Sequence, residues 1–209
     1  MTAVKKKKSV AADIAETESE LMRLSVKLTE LRKQAAPLPV KNYKFKDLNG
    51  EVTLEELFAG RDRLFAIHNM GQGCRYCTLW ADGFNGFVSH LEDRFAFVLL
   101  SKDDPETQRR FANQRGWRFR MASHGGGAYI KEQSAGPGGD NMPGMVCYEK
   151  RGGKIFRKNA AVFGPNDQFC ALWPVLSLAG LSEADWVPQY SYWKRPAKGD
   201  MDDGGNDVR

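Results

Sequence analysis

Four cysteines and three histidines among 209 residues are too few for a disulfide scaffold, and they offer poor material for a four-ligand zinc site. No stretch approaches the roughly 18–20 apolar residues of a membrane span. The opening, MTAVKKKKSVAADIAETESE, has a basic head but lacks the apolar segment of a secretory signal. There is no fixed-period repeat. Gly-x-Ser-x-Gly, the P-loop, Gly-x-Gly-x-x-Gly and His-Glu-x-x-His are all missing, so the HGGG at residues 124–127 has no lipase nucleophile to serve. The excess of charge is small, +5 from 31 basic and 26 acidic residues. It gathers at residues 5–8 and 194–195 rather than in a basic stripe interleaved with aromatics. These absences point away from membrane and nucleic-acid partners and toward a cytoplasmic protein.

With 42% hydrophobic and 27% charged residues, the chain is long enough for one globular domain with appendages. We expect a basic tail and amphipathic helix over residues 1–40, a domain over 41–193 and a disordered polar tail over 194–209. Val10, Ile14, Leu21, Leu24, Leu28 and Leu31, with Thr17 in the one polar slot, are spaced alternately by four and three. That register suits either a helix packed on its own domain or a short dimer seam. Pro37 and Pro39 end it.

Beyond the helix, Tyr43 and Phe45 alternate as in a strand, Asn49-Gly50 is a hairpin turn, and Thr53-Leu-Glu-Glu is a capping box. RLFAI, ending at Ile67, and FAFVLL, residues 95–100, read as buried strands. Residues 78–91 have helical periodicity that Gly83 and Gly86 should weaken or bend. Asp-Asp-Pro opens a polar helix that stops at Gly116, and residues 117–121 alternate as a strand. Residues 124–141 read as a long loop. Residues 145–149 and 154–157 form a hairpin, and Asn166 or Asp167 caps a last helix over 168–179 that Pro174 must kink or split. The alternation of strand and helix predicts a mixed α/β sheet with helices on both faces.

Between the first buried strand and the helix after it lies His68-Asn-Met-Gly-Gln-Gly-Cys74-Arg-Tyr-Cys77. A Cys-x-x-Cys at a strand-to-helix junction in a cytosolic protein reads as a thioredoxin-like redox motif. Unpaired N–H groups and the positive end of the helix dipole favour thiolate at Cys74, and Cys77, one turn later, is placed to close a disulfide with it. Cys74 is therefore the expected nucleophile and Cys77 the resolving thiol; no metal or cofactor is expected. Arg75 adds positive charge or points to water. Met142-Pro143-Gly144 begins a strand where a thioredoxin-like sheet receives an extended thiol substrate through a cis-proline. That position raises the expectation of a cis bond at Pro143 above its usual frequency of about 5–6%. Supporting candidates have plainer alternatives: His68 as proton-transfer aid or buried histidine, Asp82 as proton acceptor or surface carboxylate, Trp80 as substrate platform or core.

The residues resemble the DUF899 family of thioredoxin-like proteins, described as predicted dithiol–disulfide oxidoreductases or isomerases. The resemblance covers about residues 20–180. It rests on Leu38-Pro39, Tyr43-x-Phe45, the Asn49-to-Leu54 run, Leu57-Phe58-x-Gly60-Arg61, His68-x-Met70, the cysteine pair, Trp80-Ala81-Asp82-Gly83-Phe84, Gly116-Trp117 and Pro143-Gly144. It implies a thioredoxin/peroxiredoxin-like fold with Cys74 and Cys77 as the redox pair. The chain departs from the commoner pattern in a shorter link from Met70 to the cysteines and in Phe169-Cys-Ala-Leu-Trp-Pro174 near its end. The expected function is exchange with a protein or small-molecule thiol or disulfide. A thiol peroxidase and a redox-inert scaffold assembled through the N-terminal helix are the alternatives.

Overall fold

The computed structural model describes residues 9–136, 141–190 and 192. Residues 5–8 and the polar stretch from 194 onward lie outside them. The chain divides into two units, Met1–Ala36 and Pro37–Arg209.

Among the described residues the first unit holds one helix, α1 (Val10–Gln34), none of whose residues is buried. Ser9 caps it, its Oγ accepting from Ala12 N at 3.2 Å. The helix runs three residues past the last apolar position of the spacing pattern, to just before Pro37.

In the second unit the elements run β1 (Leu38–Val40), β2 (Lys44–Asp47), β3 (Gly50–Thr53), α2 (Leu54–Leu57), β4 (Arg63–His68), α3 (Arg75–Glu92), β5 (Ala96–Ser101), α4 (Pro105–Arg115), β6 (Arg120–Ser123), α5 (Ala128–Gln133), β7 (Gly144–Arg151), β8 (Lys154–Val162) and α6 (Leu172–Leu178). The strands form one sheet in the order β1-β8-β7-β4-β5-β6-β2-β3. β4, β5 and β6 are parallel, and every other pairing is antiparallel. This is a mixed α/β sheet flanked by helices on both faces, as the alternation of strand and helix predicts.

Local signals account for most of the boundaries. The Asn49-Gly50 turn joins β2 to β3, with Gly50 at φ +117°. Thr53 and Glu56 complete the capping box of α2. Gly152 and Gly153, both at positive φ, make the two-residue turn between β7 and β8. Asp104 caps α4, Pro105 occupies its first turn, and Gly116 at φ +70° ends it.

All six residues of β5 are buried, and they alternate between two cores. Ala96, Val98 and Leu100 join Leu54, Leu57 and Phe58 around α2, with Tyr129 and Ile130 of α5. Phe97 and Leu99 meet Trp80, Ala81, Phe84 and Val88 of α3, with Phe111 of α4 and Trp173 of α6. The site helix α3 thus has one sheet face and α5 the other.

Several expectations change. Residues 124–141 are not one loop: Ala128–Gln133 form α5, because Tyr129 and Ile130 bury against the core. The last helix starts at Leu172, which puts Pro174 in its first turn, where a missing N–H breaks no helical bond. Asp167 instead binds the N–H groups of Gly164, Phe169 and Cys170 ahead of it. α3 runs unbroken through Gly83 and Gly86. β6 begins at Arg120 rather than residue 117. β1, with Pro39 inside it, was not expected; as the outermost strand it can carry a proline. No helix among the described residues is long and apolar enough to cross a membrane.

Candidate active site

The C-terminal ends of the three parallel strands open on the same end of the sheet, the usual place for a site in such a fold. His68 ends β4 and pairs in register with Gly144, so Pro143 and the loop to Cys74 lie at that end together. The loop is held from two sides. Asn69 donates its backbone N–H to Leu100 O at 2.9 Å, accepts Gly71 N at 2.8 Å on its side chain, and reaches Cys77 O at 3.4 Å. Asp103, in the loop after β5, accepts Gln72 N at 2.7 Å. Gly71 sits at φ +118°, and a Cβ there would stand 2.8 Å from the Asp103 carboxylate, so the residue must be glycine.

That loop delivers Cys74 as the N-cap of α3. Its Sγ accepts the Cys77 N–H at 3.0 Å, the role a serine or aspartate oxygen takes in an ordinary cap. Cys74 O begins the helix by accepting Thr78 N at 3.0 Å. Cys74 and Cys77 are joined in a disulfide, with Cα atoms 5.2 Å apart. They are 1% and 3% exposed. Arg75 between them is buried, not turned to water.

His68 points to the sheet face opposite α3. Its Nε2 lies 2.8 Å from Tyr129 OH, which is 3.0 Å from Tyr148 OH. Tyr148 in turn reaches Gln133 Oε1 at 3.4 Å. Burial, reinforced by the His124 and Arg157 charges, pushes the His68 imidazole down to about 3. His124, with Nδ1 accepting Gly126 N at 3.0 Å, is pushed down to about 4, chiefly by burial. Both rings are therefore neutral near pH 7. Burial raises the Tyr129 and Tyr148 phenols, so the network is uncharged.

Asp82 is engaged by residues other than the cysteines. It pairs with Arg115 and accepts Trp117 Nε1 at 2.8 Å. Asn85, three residues on, accepts Arg118 N at 2.9 Å and donates to Gly116 O at 3.1 Å. Trp80 lies in the core, stacked on Phe163 with ring centroids 5.5 Å apart. Met142 is exposed beside Pro143. The Met142–Pro143 bond is trans, the isomer a proline in a loop ordinarily adopts, and not the cis form that its position made more frequent than usual. Trans is the lower-energy isomer, and the strand needs no reversal there: Pro143 O simply accepts Phe163 N at 2.9 Å. Cys147 and Cys170 are free and set apart, with thiols pushed up by burial, Cys147 to about 11. Among the described residues no three His, Cys, Asp or Glu side chains gather where they could hold a metal ion.

The sequence did not single out Asn69, Asp103, Tyr129 or Tyr148. Asp103 had a signal, the Asp-Asp before Pro105. Only the second aspartate caps the helix, leaving the first for the cysteine loop.

The profile of the family described as "Bacterial protein of unknown function (DUF899)" matches residues 7–197. The chain belongs to this family. No curated protein matches it. Among solved structures it is similar to peroxidoxin BcpB from Mycobacterium tuberculosis, with 15% identity over 61% of this chain and 85% of that one and a TM-score of 0.48. It is also similar to reduced Prx3 from Vibrio vulnificus (17%, covering 69% and 97%, TM-score 0.43). A putative thiol-disulfide oxidoreductase from Bacteroides vulgatus gives 14% identity over 62% and 89%, with a TM-score of 0.46. Within DUF899, this member carries a bonded Cys-x-x-Cys at a helix N-terminus, an arrangement that supports thiol redox function.

Proposed function

We propose that the protein is a thiol–disulfide oxidoreductase with Cys74 as nucleophile and Cys77 as resolving thiol. The observation that carries the reading is the cap geometry: Cys74 Sγ terminates α3 and takes a backbone N–H, which favours negative charge on that sulfur once the pair is reduced. Cys74 thiolate attacks a substrate disulfide, forming a mixed disulfide and expelling one substrate thiolate. Cys77 gives up its proton and attacks Cys74 Sγ, which closes the Cys74–Cys77 disulfide and releases the second thiolate. The substrate gains the two electrons the pair loses, and the reverse sequence oxidises a dithiol. Met142 and Pro143, at the same end of the sheet, line the substrate's approach in this reading.

The burial of both sulfurs favours a second reading. A hydroperoxide is smaller than any protein disulfide. It would oxidise Cys74 to sulfenic acid with loss of alcohol or water, and Cys77 would condense with it, releasing water. A Cys77→Ser variant separates the two. Incubated with glutathione disulfide, it should accumulate a glutathione adduct on Cys74, visible by mass spectrometry. With hydrogen peroxide, a dimedone adduct at Cys74 forming faster than that mixed disulfide would select the peroxidase. Failure of Cys74 to react with either reagent would overturn both.

A further inference from the structure

α1 is a 25-residue helix with an apolar stripe that nothing among the described residues of its own unit covers. Ile14, Leu21, Leu24 and Leu31 on that stripe are 44–59% exposed. In heptad terms Ile14, Leu21 and Leu28 take the a positions, and Val10, Thr17, Leu24 and Leu31 the d positions. The stripe alone does not say what covers it, but the charges beside it do.

Asp13, Glu16, Glu18 and Glu20 occupy the first half of the helix without a single base. The second half holds Arg23, Lys27, Arg32 and Lys33 against one acid, Glu30. The helix dipole favours this polarity only within the first and last turns, whereas the segregation continues to the middle of the helix. A second copy lying antiparallel sets each acidic half against a basic half.

The positions flanking the seam distinguish the two orientations. A parallel pair brings Asp13 beside Glu18 of the second copy and Lys27 beside Arg32, like charges in both cases and each repeated by symmetry. An antiparallel pair with Leu21 packed on Leu24 of the second copy brings Glu20 beside Lys27, twice, and creates no like-charged contact among the flanking positions. We propose that α1 is a self-association element that pairs with α1 of a second copy in antiparallel orientation. The proposal stands apart from the redox reading.

Sedimentation velocity of the full chain across a dilution series tests it. The wild type should pass from monomer to dimer with rising concentration. Leu21→Glu combined with Leu24→Glu should leave only monomer with an unchanged circular dichroism spectrum, because both side chains are already solvent-exposed. Lys27→Glu replaces two attractions by two repulsions in the antiparallel pair and should weaken the dimer roughly tenfold. Adding Glu20→Lys to it should restore the affinity. A wild type that stays monomeric at every concentration overturns the proposal, as does a dimer indifferent to the Leu21/Leu24 change. Tighter association of Lys27→Glu, the result a parallel pair gives by relieving Lys27 against Arg32, overturns the orientation.

Discussion

Gly144 shows how much a single missing side chain can decide. It opens β7 opposite His68, and a Cβ built on it would collide with Ala135 Cβ and the Ala161 carbonyl. Neither neighbour can withdraw without moving backbone. Gly144→Ala should therefore cost about 1–3 kcal/mol, the usual range for overpacking a filled site, read as a lower urea midpoint with unchanged slope. An unaltered midpoint would mean the strand entrance is looser than it looks. The buried histidines give a second test at this scale. Their imidazoles are held near 3 and 4 in the fold, against about 6.5 in an unfolded chain. On acidification the unfolded state takes up protons that the folded state refuses. Stability is thus fully present above about pH 6.5 and declines as pH falls toward the folded values, by about 1.4 kcal/mol per pH unit for each histidine. Urea titrations between about pH 6.5 and 5, above most carboxylate titrations, should show that slope, and a flat profile would contradict the neutral assignment. Residues whose partners are near in sequence were legible in advance: Thr53 with Glu56, Asp104 with Pro105, and Cys74 with Cys77. The crowding that requires glycine at 144 and the role of Tyr129 were not, because Ala135 and Ala161 in the one case and His68 and Tyr148 in the other come from distant parts of the chain.

At the scale of elements, α3 ties the molecule together. Its Trp-Ala-Asp-Gly-Phe-Asn run, the most specific part of the family resemblance, places Asp82 and Asn85 three residues apart on one helical face. Together they hold the Gly116–Trp117–Arg118 turn between α4 and β6. The sequence showed that both segments belonged to the family pattern but not that one clasps the other. Asp82→Ala should cost about 1–3 kcal/mol, since it strips a carboxylate from Arg115 and leaves the buried Trp117 N–H unsatisfied. The redox potential of the cysteine pair should remain unchanged. If instead the thiol exchange rate and its pH profile moved while stability held, Asp82 would be serving the cysteines as a proton acceptor. The helix boundaries follow a similar division. Caps marked the starts of α2 and α4, and Gly116 the end of α4, while α5 stayed hidden inside a glycine-rich stretch because two buried residues, not a periodic face, hold it in place.

For the whole molecule, the parallel centre followed from the alternation of strands and helices, and the antiparallel β7–β8 hairpin from its Gly-Gly turn. The far edge did not: β2 joins β6 through the single pairing of Lys46 with Ser123, which no local pattern announces. What the assembled sheet achieves is the delivery of one cysteine to a helix N-terminus and a second one turn inside it. The central claim is that this pair is a redox couple rather than a permanent staple. Thiol alkylation and mass spectrometry across a graded glutathione buffer, with Cys74→Ser run alongside, address it directly. A reversible two-electron transition between about −120 and −270 mV, lost in Cys74→Ser, is the predicted result. A pair that stays bonded, or stays reduced, through the whole series would contradict the claim.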